Sequence, residues 1–78
     1  MQMTESDWRR IFADRLSVMM RYSNATRRGV VKASGISEST LSYYLSGQKS
    51  PTFKSIVNLA YTLNCTIEDL IDFGEPIE

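Results

Sequence analysis

A 78-residue chain that is 42% apolar has room for one small domain with a thin core, and too much apolar content for disorder. With no histidine and a single cysteine, Cys65, the composition excludes Ser-His-Asp and Cys-His catalysis, His-ligated metals, Cys-cluster zinc sites and an internal disulfide. Net charge is zero, no apolar run approaches the ~18 residues of a membrane span, and the N-terminus lacks the apolar core of a signal peptide, so the expected location is the cytoplasm.

Thr4 followed by Asp7 resembles a capping box that opens a first helix near Glu5. Trp8, Phe12, Leu16 and Met19-Met20 recur at helical spacing to about Tyr22, a stripe of core residues, and Ser23-Asn24 ends it. Thr26 caps a second helix, Arg27–Ser34, with Val30 and Val31 inward; Gly29 in its interior costs about 1 kcal/mol relative to Ala. Gly35 permits the turn into a third helix. There Ser37 is the N-cap, Ile36 and Leu41 form a hydrophobic staple, and Gly47 closes the end. Leu41, Leu45 and Tyr44 face inward. Glu38, Ser39, Ser42 and Tyr43, with Thr40 at the edge, make a compact polar face with almost no charge.

After the loop Gln48-Lys49-Ser50-Pro51, Ser50 or Thr52 caps a fourth helix, with Pro51 suited to its first position. Phe53, Ile56, Val57, Ala60 and Leu63 form its expected apolar stripe, and Asn64 ends it. Thr66 with Asp69 opens a short fifth helix containing Ile67, Leu70 and Ile71, stopped by Gly74 and Pro76. Cys65, between two apolar helices, reads as a small core residue. No strand pattern is present. The fold class is all-α, one domain over residues 1–78, with 74–78 as a loose tail.

The charges are segregated. All nine Lys and Arg lie between Arg9 and Lys54, opposed there only by Asp14 and Glu38, a net +7; residues 55–78 carry five acids and no base. This suggests one surface for a polyanion and another kept away from it.

Two short helices joined by Gly-Ile-Ser make a helix-turn-helix pattern. Leu16, Thr26, Val30, Gly35-Ile36-Ser37, Thr40-Leu41, Gly47, Pro51, Leu59-Ala60, Leu63 and Leu70 stand in an order and spacing that resembles the phage repressor and Cro-like (XRE) family. The resemblance runs from roughly Phe12 to Phe73 and implies a compact five-helix, lambda-repressor-like DNA-binding domain. It implies that the helix from Glu38 to Ser46 lies in the major groove, with Glu38, Ser39, Thr40 and Tyr43 at base edges. Arg27 matches a family position, usually Gln, that touches the DNA backbone. Arg28, Lys32, Ser42, Gln48 and Lys49 are the further phosphate candidates, and Arg21 and Lys54 rank below them. Met20 and Leu45 stand where many members pair an Arg with a Glu, so an apolar contact is expected instead. Val31 and Ser34 depart from the usual Ala and Leu.

One small module binds modestly, so a homodimer on a palindromic double-stranded operator is expected, with the interface at Leu70, Phe73 and Ile77. The implied function is a transcriptional regulator, a repressor of phage or prophage type. The alternatives are an antitoxin or restriction-controller protein of the same family, and an interaction module that has lost DNA binding. No enzyme activity, cofactor, metal or small-molecule substrate is expected, because nothing resembles an activated nucleophile or a phosphate loop.

Overall fold

The structure, a computed structural model, describes residues 3–71. The first helix, α1, runs Glu5–Tyr22 and starts on a reciprocal cap. The Asp7 amide donates to Thr4 Oγ1 at 3.0 Å, and the Thr4 amide donates back to Asp7 Oδ2 at 3.3 Å. The Thr4 amide, then its hydroxyl, and then Arg10 hold the Asp7 carboxyl below its ordinary pKa. A depressed folded pKa means stability that is present at neutral pH and lost as pH falls below about 4. Asp7→Asn should therefore melt below the parent at pH 7, and the gap should close as the buffer is acidified through that range.

The remaining helices are α2 (Arg27–Ser34), α3 (Glu38–Leu45), α4 (Phe53–Thr62) and α5 (Ile67–Ile71), and no strand occurs among the described residues. Thr26, Ser37 and Thr52 cap α2, α3 and α4, each hydroxyl accepting from an amide three residues on. Thr52 takes the cap of α4, so Pro51 precedes that helix and is not its first residue. Gly29 is tolerated in α2 for a local reason. Its amide donates to Thr26 Oγ1, and a Cβ there would stand only 3.2 Å from that oxygen.

Three helices end alike. Beyond α1, α3 and α4 the backbone turns left-handed at Asn24 (φ 56°), Gly47 (φ 76°) and Asn64 (φ 56°). The following amides of Ala25, Gln48 and Cys65 reach back to the carbonyls of Met20, Tyr43 and Ala60, each at 2.9 Å. Gly35 (φ 78°) makes the turn between α2 and α3. A Cβ at Gly47 would meet only ordinary contacts, 3.8 Å from the Arg9 carbonyl oxygen, so the cost of a side chain there is conformational. Gly47→Ala should lower stability by about 1–2 kcal/mol, read as a fall in the urea midpoint.

α1 packs on α3 and α5, α2 on α3 and α4, and α4 on α5. The core holds Phe12, Leu16, Met19 and Met20 of α1, Val30, Ile36, Leu41 and Tyr44, and Ile56, Leu59, Ala60, Leu63 and Leu70. Trp8, Val31, Leu45 and Cys65 pack on its edge. Partial burial raises the Cys65 thiol pKa, with Asp69 adding to the rise and Arg15 opposing it.

Two expectations are corrected. Phe53 and Val57 are exposed, because the inward row of α4 is Ile56, Leu59, Ala60 and Leu63, and Phe53 and Val57 fall on a row outside it. Leu70, expected at a dimer interface, is 0% exposed and belongs to the core of its own chain. The other two expected interface residues, Phe73 and Ile77, and the tail 74–78 lie outside the described residues.

Candidate nucleic-acid interface

The third helix owes its orientation to its first turn. Ser37 Oγ accepts the Thr40 amide at 3.1 Å and donates to Thr40 Oγ1 at 2.9 Å. Ile36 and Leu41, both buried, staple the helix to the core. Tyr44 is also buried, edge-on to Phe12 with ring centroids 5.6 Å apart, and its hydroxyl donates to Ser55 Oγ at 3.0 Å. With Leu41 and Tyr44 fixed inward, Glu38, Ser39 and Tyr43 must face solvent, and all three are exposed. Thr40 is only half-buried, and with one lone pair of its hydroxyl taken by Ser37 it keeps its proton and a second lone pair to offer outward.

Arg27, the first residue of α2, donates from Nη1 to Ser42 Oγ at 2.9 Å. The hydrogen bond draws two expected phosphate contacts together and stands the guanidinium beside the polar face of α3. One of its five N–H donors is used there, which leaves a fork for a phosphate. A cleft of about 530 Å³ opens behind it, lined by Ser17, Met20, Arg21, Asn24, Ala25, Arg27 and Leu45. Met20 and Leu45 share its apolar wall, where the ion pair of related domains was expected to be replaced. The Ser23-Asn24 turn brings Arg21 to the same cleft as Arg27, a proximity that its sequence position does not signal.

Arg28 and Lys32 share one row of α2 and point away from buried Val30. Gln48 and Lys49 are exposed beyond Gly47, and the Gln48 amide is held by the Tyr43 carbonyl. No hydrogen bond among the described residues links the side chains of Arg28, Lys32, Gln48 or Lys49 to α3. Among the described residues none of the expected phosphate-binding cations takes part in an ion pair.

Three other cations serve α1 instead. Arg9 lies 3.9 Å from Glu5, Arg10 lies 3.3 Å from Asp7, and Arg15 Nε donates to the Asp69 carbonyl at 2.8 Å. The basic segment thus divides into cations that hold α1 and cations that flank α2 and α3.

Residues 15–75 match the family model described as the Cro/C1-type HTH DNA-binding domain. The chain belongs to that family. Neither a curated protein nor a solved structure gives a match. The match spans α2 and α3, so the Arg27–Ser42 pair and the exposed side of α3 both lie within the matched DNA-binding domain. No described helix is long and apolar enough to cross a membrane.

Proposed function

We propose that this Cro/C1-type domain is a sequence-specific transcriptional regulator, a repressor of phage or prophage type. It acts in the cytoplasm as a homodimer on a palindromic operator and reads the major groove with α3. The observation that carries this reading is the outward set Glu38, Ser39 and Tyr43 with an arginine held at its side.

The chemistry of each group suits the groove. Ser39 donates or accepts at a base edge, Glu38 accepts from a cytosine amino group, and the Tyr43 ring and Thr40 methyl offer apolar contact to a thymine methyl. Arg27 and Ser42, with Arg28, Lys32, Gln48 and Lys49, grip phosphates and set the register. Dimer formation doubles both sets and spaces two half-sites about 34 Å apart.

Selection of bound duplexes from a random-sequence pool is the direct test. A recurring half-site, repeated in inverted orientation, is the expected outcome; a pool that stays random overturns the reading. On the selected site Tyr43→Ala should reduce discrimination at one base position by about 1–3 kcal/mol while leaving the other positions as they were.

A further inference from the structure

We propose that Phe53, Val57 and Tyr61 form a docking stripe on α4 for a second copy of this chain, the two α4 helices packing antiparallel about a two-fold axis at Val57. The three residues recur every fourth position, so they lie on one row of the helix. They are 71%, 38% and 90% exposed, whereas the inward row of the same helix is buried. The core therefore makes little use of them, and together they place a continuous apolar strip about 12 Å long on the surface.

The charge pattern selects a second copy as the occupant. Lys54 is the only charged residue of α4, and no charged residue occurs from Ser55 to Ile67. Lys54 sits in the first turn of its own helix, where a cation opposes the helix dipole. An antiparallel copy moves it beside the C-terminal carbonyls of the other α4, where a cation is favoured. The same arrangement sets Phe53 against the partner's Tyr61, with the smaller Val57 at the axis allowing close approach. One patch then serves both copies, as a two-fold contact requires.

The area involved sets the strength. Two largely exposed aromatics of about 150–250 Å² each, with Val57, supply roughly half of the ~800 Å² per partner in a standard interface. Association is therefore weak in free solution and is completed where DNA brings two copies together.

The contact would also fix the spacing of the two reading helices. Buried Tyr44 of α3 donates to Ser55 in the first turn of α4, and Ser55 in turn donates its amide to Thr52 Oγ1 at 3.1 Å. Pairing α4 with α4 thus holds the two α3 helices at a set distance. This use rests on the DNA-binding reading, but the association is measured without DNA.

Sedimentation equilibrium of the parent should show a dimer fraction that grows with loading concentration. Phe53→Glu and Tyr61→Glu, both at exposed sites, should abolish it while keeping the parent melting temperature. In a Cys65→Ser background, Val57→Cys should form a disulfide-linked dimer under mild oxidation, and Tyr22→Cys, at a more solvent-open site on α1, should not. A parent that stays monomeric at every concentration overturns the proposal. So do glutamate variants that dimerise like the parent, and so does a Val57→Cys variant that links no faster than Tyr22→Cys; that last comparison also decides the matter if a glutamate variant fails to fold. Should the cysteine link form while duplex DNA is ignored, the docking stripe stands and the DNA-binding reading falls.

Discussion

Phe12→Ala is expected to remove about 3–5 kcal/mol of stability, the usual cost of emptying a buried aromatic site. Phe12 is 0% exposed and lies between two other rings, Trp8 at 5.8 Å and Tyr44 at 5.6 Å. The Phe12–Tyr44 contact joins α1 to α3, so the cavity would open between the scaffold and the helix it supports. A domain of this size commands only about 4–12 kcal/mol in total, and the variant should be substantially unfolded at moderate temperature. Urea titration would show the midpoint falling with the slope unchanged, whereas Tyr22→Ala at an exposed site should shift stability by less than about 0.5 kcal/mol. A loss near 1 kcal/mol for Phe12→Ala would mean that the aromatic trio does not centre the core.

The second large effect concerns salt. If Arg27, Arg28, Lys32 and Lys49 each neutralise a phosphate in both halves of a dimer, affinity for duplex DNA should fall by roughly 10³–10⁵ between 50 and 200 mM salt. Arg27→Ala should weaken all duplexes alike and flatten the logarithmic slope by about one unit per protomer. Arg27 is held beside α3 by its hydrogen bond to Ser42, and no such bond holds Lys32 among the described residues, so its loss should exceed that of Lys32→Ala. A shallow slope in the parent would favour the interaction-module alternative, for which this set of cations has no evident use. An antitoxin or restriction controller would keep the steep slope and add a protein partner, which co-purification would find.

The caps were legible because each is a local rule. Thr4, Thr26, Ser37 and Thr66 are all hydroxyl residues whose oxygen meets an amide three positions on, and the structure places all four so. Asn24 and Gly47 likewise announced the left-handed ends. The polar side of α3 followed from Leu41 and Tyr44, whose burial leaves the other side chains nowhere else to go.

What sequence reasoning missed depends on neighbours. α4 is apolar around most of its circumference, and only its packing on α2 and α5 decides that Ile56 and Leu59 go inward while Phe53, Val57 and Tyr61 do not. Leu70 looked equally suited to core or interface until the position of α1 was known. Glu5 and Asp7 lie just outside the basic segment that starts at Arg9, yet they fold back onto Arg9 and Arg10 within one helical turn. In the sequence Arg15 is indistinguishable from the arginines proposed to hold phosphates, since its partner is a backbone carbonyl 54 positions away.

That last hydrogen bond bears on how the molecule is made. Arg15 belongs to α1 and Asp69 to α5, whose buried Leu70 completes the hydrophobic interior. During synthesis the earlier helices emerge with an unfilled seam along α1, sticky and exposed to proteases. Only once α5 is present can the arginine hold its carbonyl and close that seam, so a chain cut short before Asp69 should lose cooperative folding.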